Sequence, residues 1–299
     1  MPKPPHLNAD DDPALAGPWP LDERWLLDLS SRADAPPKVP RAPLGLQGSA
    51  AQIGSIEQGW AERLMAAGLP LQQSAHGWVV SARRGDALDA ALDALARALR
   101  DMGPAANWRD EMVTVVDAGG HAVGQIERAA TRALGIATHA VHLVASTADG
   151  SVWVQQRAFD KATDPGLWDT TVGGLVGADE TPRVALEREA WEEAGLHVGS
   201  VARLASIGRI CVRRPVTEGY MVEHIDMFEA VVPEHLSPVN QDGEVAAFER
   251  LQPAALWQRM RDGIFTLEAT LILQQWLRRH GHLVQGREAA ADTGSTAGP

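Results

Sequence analysis

Leu88, Leu92, Leu95 and Leu99 recur at i, i+4, i+7 and i+11, so one apolar stripe predicts a helix over Asp86–Met102. Gly103-Pro104 ends it. Before it, the pattern predicts a strand at 51–56, a helix at 59–67 stopped by Gly68, and a strand at 77–81. A strand over Met112–Val116 and a helix over 125–134 follow. Near Gly135 the chain changes character. Short apolar runs at 140–146 (AVHLVAS) and 152–156 (VWVQQ) flank Ala148-Asp149-Gly150, the pattern of a hairpin. Long strands are expected at 203–216 and 220–232 around Thr217-Glu218-Gly219, then helices at 253–263 and 266–280.

These elements divide the chain into a flexible lead-in (1–20), an α+β domain (21–134), a second domain (135–285) and a small, polar tail (286–299). A length of 299 residues agrees with two domains. The formal charge of −12 argues against sequence-independent nucleic-acid binding and against an anionic membrane surface. Cys211 is the single cysteine, so an intramolecular disulfide or a cysteine metal cluster is excluded. No apolar run approaches a membrane span, and the first residues lack the apolar core of a signal peptide. The expectation is a cytoplasmic protein acting on a small molecule; a homodimer is left open.

The chemistry concentrates in Gly174–Leu196, GLVGADETPRVALEREAWEEAGL. Thr181-Pro182 supplies a hydroxyl N-cap and a proline at the first helical position, and Gly195 suits a left-handed C-terminal residue. Glu189, Glu192 and Glu193 fall at i, i+3 and i+4 and share one face. Such like-charge pairs cost a few tenths of a kcal/mol each, and the C-terminal end of a helix dipole disfavours each anion by roughly 0.3–1 kcal/mol. A bound divalent cation would remove both penalties. Mg²⁺ suits carboxylates together with phosphate oxygens.

The segment resembles the Nudix box, G-x5-E-x7-R-E-U-x-E-E-x-G-U with U apolar. It matches at Gly174, Glu180, Arg188, Glu189, Glu192, Glu193 and Gly195, and at the apolar positions Ala190 and Leu196. The resemblance implies an α/β/α sandwich with a mixed sheet. It also implies divalent metal (Mg²⁺, with Mn²⁺ as a substitute) on Glu189, Glu192, Glu193 and the Gly174 carbonyl. Glu180, Arg188 and Gly195 would then support the loop. A further carboxylate from outside the box is expected at Glu244, with Asp242 the weaker candidate. The implied activity is hydrolysis of a diphosphate bond, with Glu193 or Glu244 as general base and Glu192 also in the catalytic set.

Flanking residues narrow the substrate. Arg157, Lys161, Pro165-Gly166 and Trp168-Asp169 resemble the layout of isopentenyl diphosphate isomerase, also a Nudix-fold enzyme. That enzyme needs a cysteine just after this stretch, where Thr170-Thr171-Val172-Gly173 stands here. The wider pattern adds Asn240–Val245 with Phe248, Phe265-Thr266 with Glu268, and Trp276–Gly281. It is similar to the Nudix portion associated with fungal thiamine pyrophosphokinase. That similarity implies conversion of thiamine diphosphate, or of its oxo- and oxythiamine analogues, to the monophosphate plus phosphate. Arg157, Lys161, Arg213 and Arg214 are the expected phosphate-binding cations; Trp168 stacks on a ring or packs. The alternatives are a nucleoside diphosphate derivative (ADP-ribose, NADH or a dNTP) as substrate, or a binding module without turnover.

Overall fold

The computed structural model describes residues 17–49 and 51–285. Of the tails expected from the sequence, residues 1–16 and 286–299 lie outside the described part. The described chain opens with β1 (Trp19–Leu21) and α1 (Glu23–Ala33). The Asp22 carboxylate caps α1, accepting from the N–H groups of Arg24 and Trp25 at 2.8 and 3.4 Å. Leu21 and Leu29 are buried in the core of the C-terminal domain, and the Trp25 ring meets Trp257 edge-on at 5.1 Å. Residues 21–33 therefore pack with the second domain, not with the α+β domain in which the boundary at 21 places them, and Trp19 and Pro20, expected in the flexible lead-in, form part of β1. The apolar side of this strand and helix covers a face of the second sheet.

The accessory domain contains β2 (Arg41–Leu46), β3 (Gln52–Glu57), α2 (Gln58–Ala66), β4 (Leu71–Ser74), β5 (Gly77–Val80), α3 (Asp86–Met102), β6 (Met112–Val116), β7 (Ala122–Glu127) and α4 (Arg128–Thr131). Four strands pair in the order β3-β2-β5-β4, and β6 and β7 form a separate hairpin. The Leu88, Leu92, Leu95 and Leu99 stripe is fully buried against Leu44, Ile56, Trp78 and Ile126 in one core. The helix expected over 125–134 is instead the end of β7 followed by a single helical turn. Residues 122–127 read AVGQIE, and the turn before them lets Val113 and Ile126 pair across the hairpin. Pairing along β6 outweighs the local helical pattern here.

The C-terminal domain comprises β8 (Thr138–Ser146), β9 (Val152–Arg157), β10 (Trp168–Asp169), β11 (Val172–Leu175), α5 (Pro182–Ala194), β12 (Ala202–Val216), β13 (Gly219–Val231), β14 (Val245–Leu251), α6 (Pro253–Arg261), α7 (Leu267–Arg279) and β15 (Leu283–Gln285). Strand β15 pairs in parallel with β1. Seven strands form a mixed sheet with the order β10-β9-β8-β13-β12; β11 pairs with β8 and β14 with β9. Strand β8 runs parallel to β13 and antiparallel to its other partners.

Alternation along β8 feeds two cores. Val141, Leu143 and Ala145 pack against Ala185, Leu186 and Ala190 of α5. Ala140 and Val144 join the core made with α6, α7 and α1. Burial on both faces explains why this strand reads as a continuous apolar run. The expected hairpin between β8 and β9 exists, but only Ala145↔Trp153 and Ser146↔Val152 pair before the strands splay. Beyond that point β8 takes β11 as partner and β9 takes β10. Thr171 spans the split: its Oγ1 donates to the Trp153 carbonyl at 2.6 Å and accepts from the Ala145 N–H at 2.9 Å.

Candidate active site

Helix α5 begins as its sequence dictates. Thr181 Oγ1 accepts from the Val184 N–H at 3.3 Å, Pro182 opens the first turn, and Gly195 closes it with φ 61°. Ala185, Leu186, Ala190 and Ala194 face the sheet, which directs Glu189 and Glu192 to the cleft edge. Glu193 turns inward and is 2% exposed. Its Oε2 accepts from the Gly173 N–H and from Gln155 Nε2, both at 2.9 Å. Burial, reinforced by Glu189, pushes the Glu193 carboxyl up to about 8 despite these donors. Burial also raises Glu189; Arg188 offsets part of that rise, and Glu192 and Glu244 add to it.

The Gly173-Gly174 pair has a steric cause. A Cβ on Gly174 would lie 1.9 Å from the Glu189 carboxyl carbon, and one on Gly173 would lie 2.6 Å from His142 Cε1. Neither glycine needs a left-handed backbone; both are required by close approach. His142 is buried, and burial holds its imidazole below the ordinary histidine range, against the pull of Asp169. Its Nδ1 lies 2.8 Å from Thr170 Oγ1.

Arg188 organises the loop. It meets both oxygens of Glu180 at 2.7 and 2.8 Å, the Leu175 carbonyl at 2.9 Å, Glu189 at 2.7 Å and Glu192 at 3.0 Å. The like-charge cost expected along α5 is thus partly met within the helix. Hydrogen bonding to Arg188 holds Glu180 below the ordinary carboxylate range, and its Oε2 also accepts from the Gly177 N–H at 2.9 Å.

Residues 239–244 fold back over the end of α5. The Val239 N–H donates to the Ala194 carbonyl at 2.8 Å, and the Gln241 N–H to the Glu192 carbonyl at 3.0 Å. This brings Glu244 beside Glu189, at an ion pair with Lys161. Burial favours the neutral acid of Glu244, but Lys161, with Arg109 and Arg128 adding to it, outweighs burial and holds the group below the ordinary range. Asp242 accepts from the Glu244 N–H at 2.8 Å and lines the outer cleft.

Two adjoining cavities, of about 380 and 180 Å³, share Glu189, Glu244, Leu175 and Arg128 in their walls. Arg157 lines the smaller one and binds the Thr163 carbonyl at 3.0 Å and Asp169 at 3.4 Å. Arg214 lines it as well, 3.2 Å from Glu268. Its neighbour Arg213 does not. Successive strand residues point to opposite faces, and Arg213 pairs with Asp34 at 2.7 Å on the far side of β12. Trp168 is also outside the cavity lining; its ring packs toward the α6–α7 core with the Arg259 guanidinium 5.6 Å from its centre.

The sequence reading missed four contributors. Asp164, Glu223 and Glu268 join Asp169 to make the side of the smaller cavity toward α7 acidic. Burial raises Glu268; Arg214 offsets this in part, while Glu223 and Asp169 reinforce it. Gln155 was the fourth. Glu268 stands within the quoted flanking motifs, so a signal existed for it; Asp164, Glu223 and Gln155 have no local cue.

Residues 137–269 match the family model of the NUDIX domain. This part of the chain has the Nudix fold, with the mixed sheet and flanking helices described above. The chain is 28% identical over 170 residues to "Nudix hydrolase 20, chloroplastic" of Arabidopsis thaliana, covering 53% of this chain and 43% of that protein. It is 29% identical over 152 residues to an isopentenyl-diphosphate Delta-isomerase of Corynebacterium glutamicum, covering 49% of this chain and 79% of that one. Among solved structures, the DR0079 protein of Deinococcus radiodurans superposes with a TM-score of 0.46 at 23% identity, covering 56% of this chain and 99% of that one. The chain spans less than half the length of the two chloroplastic Nudix hydrolases it matches.

Proposed function

We propose that this protein is a Mg²⁺-dependent hydrolase of a small organic diphosphate. The observation that carries this reading is that Glu189, Glu192 and Glu244 line one cleft beside Gly174, with Glu193 buried behind them. The donors are all oxygen, as a hard divalent cation prefers, and two of the carboxyls are raised by burial and mutual repulsion; among the described residues no three of them stand as a ready-made ligand cluster, so binding an ion requires the side chains to turn toward it. Glu189, Glu192, Glu193 and the Gly174 carbonyl would hold Mg²⁺, or Mn²⁺ in its place. When bound, the ion screens the diphosphate and lowers the pKa of an attached water. Glu244 is the group that takes up the water's proton, because its partly exposed carboxylate stays ionised beside Lys161. Glu193 lies behind, tied to Gly173 and Gln155. Arg157 and Arg214 line the smaller cavity that takes the substrate, each already paired with a carboxylate, Asp169 and Glu268.

For the substrate we favour thiamine diphosphate and its damaged analogues. The wall of the smaller cavity carries Asp164, Asp169, Glu189, Glu223, Glu244 and Glu268 against Arg128, Arg132, Arg157, Lys161 and Arg214, one more carboxylate than cation. That excess of carboxylate suits a cationic heterocycle, and thiazolium carries a permanent positive charge. Isomerase chemistry is disfavoured, because Cys211 lies with Arg213 on the opposite face of β12. The test is turnover on thiamine, oxythiamine and oxothiamine diphosphates, ADP-ribose, NADH and dGTP with Mg²⁺. Monophosphate and phosphate are expected mainly from the three thiamine-type diphosphates, of which thiamine and oxythiamine carry the charged thiazolium and oxothiamine a neutral thiazolone. Preference for the nucleotides would remove the thiamine reading, and no turnover of any diphosphate would leave a binding module.

A further inference from the structure

The wall of the cleft facing α5 comes from the accessory domain. Arg128, the first residue of α4, borders both cavities, and Arg132 borders the smaller one. Arg109 lies beside both in an adjoining recess with Thr163 and Leu175. Arg128 and Arg132 of one domain thus rim a site whose carboxylates, Glu111 apart, belong to the other, and Arg109 stands beside them.

These arginines stand on a rigid mount. Glu127 is 1% exposed, and its carboxylate accepts from the backbone N–H groups of Arg109, Glu111 and Ala129 at 3.1, 3.0 and 3.3 Å. The Arg128 N–H donates to the Glu111 carbonyl at 2.9 Å. The mount is also locked to the second domain. The Ala178 N–H donates to the Met112 carbonyl at 2.9 Å, and Thr114 Oγ1 returns a bond to the Ala178 carbonyl at 3.1 Å. Ala178 lies in the loop that leads into α5. On the other side the Tyr220 N–H donates to the Arg132 carbonyl at 2.9 Å, where a Cβ on Gly219 would approach to 2.4 Å.

Charge supply decides what the rim is for. The cavity cations of the second domain are all engaged: Lys161 with Glu244, Arg157 with Asp169, Arg214 with Glu268, and Arg188 with three glutamates. Arg128 meets Glu111 at the partly exposed rim, and Arg132 lies 3.7 Å from Glu218. A partly exposed pair such as Arg128–Glu111 is worth little and exchanges for a phosphate, which arginine binds through a fork of N–H donors. We propose that the accessory domain supplies part of the substrate-binding wall: Arg128, with Arg132 and Arg109 beside it, binds the phosphoryl group that faces away from α5. This rests on the diphosphate-hydrolase reading and adds a second domain to its site.

The test uses the full chain, Mg²⁺ and imidodiphosphate, a non-hydrolysable stand-in for a diphosphate, with affinity read by calorimetry. Arg128→Ala is expected to weaken binding about tenfold, and Arg128→Ala/Arg132→Ala about a hundredfold. In turnover the same change appears in KM, with kcat within about threefold of wild type. Glu111→Ala separates binding from scaffolding. It breaks the same ion pair but frees Arg128, so affinity holds or tightens; a purely structural role for the pair would make it as damaging as Arg128→Ala. Arg84→Ala, a surface arginine paired with Asp117, controls for net charge. Equal affinity in wild type and Arg128→Ala/Arg132→Ala overturns the inference alone. Failure of the wild type both to bind imidodiphosphate and to turn over any diphosphate overturns the hydrolase reading and this inference with it.

Discussion

The two walls of the cleft are built in opposite ways. The α5 wall is acidic and interlocked: Glu193 is buried, Glu189 occupies the space left by Gly174, and Arg188 ties three glutamates and a carbonyl together. The accessory wall is cationic, and its charged ends stand at the rim while its backbone is fixed. A change to the first wall therefore disturbs the chemistry and, where it alters packing, the fold. A change to the second should disturb affinity and leave the chemistry near intact.

The largest effect is expected from Glu192→Gln/Glu193→Gln, which should lower kcat by about 10²–10⁴-fold with Mg²⁺ present. Circular dichroism should stay native, since α5 keeps its caps. Gly174→Ala comes next. Its methyl group must displace Glu189, at a cost of about 1–3 kcal/mol in denaturant melts together with a fall in kcat. A folded, fully active Gly174→Ala protein would contradict the packing described for this wall.

A pH effect separates the walls further. The Glu193 carboxyl titrates at about 8 in the metal-free fold, above its ordinary value of 4.5. Between these values the folded chain holds a proton that the unfolded chain has lost. Stability from this group therefore falls as pH rises from about 4.5 to 8. Melting temperatures in EDTA should decline over that window, and Glu193→Gln should flatten the decline. Added Mg²⁺ should stabilise most at the alkaline end. A metal-free profile identical in wild type and Glu193→Gln would show that this carboxyl ionises freely. The smallest effect is expected at the N-cap: Thr181→Ala should cost about 1 kcal/mol with little change in KM.

The α5 wall was legible in the sequence because its constraints are local. Thr181-Pro182, the glutamate spacing and Gly195 lie within one helix, and the structure has Pro182–Ala194 with those caps. The accessory wall was not legible. Arg128 and Arg132 fell in a segment that reads as a helix, and their position depends on β7 pairing with β6. Likewise, Arg213 and Arg214 look equivalent in sequence, and only the strand's orientation separates one from the other. Residues 19–33 carry an N-cap and apolar positions, yet their docking on the far domain depends on contacts with residues more than 200 positions away, such as Trp257 and β15.

The most direct measurement is Mg²⁺-dependent release of phosphate from oxythiamine diphosphate by the wild type and by Glu192→Gln/Glu193→Gln, with EDTA as the blank. Monophosphate and phosphate are expected in equal amounts from the wild type, and almost none from the variant or in EDTA. Equal turnover in all three samples would contradict this expectation, because the acidic wall would then have no part in the chemistry.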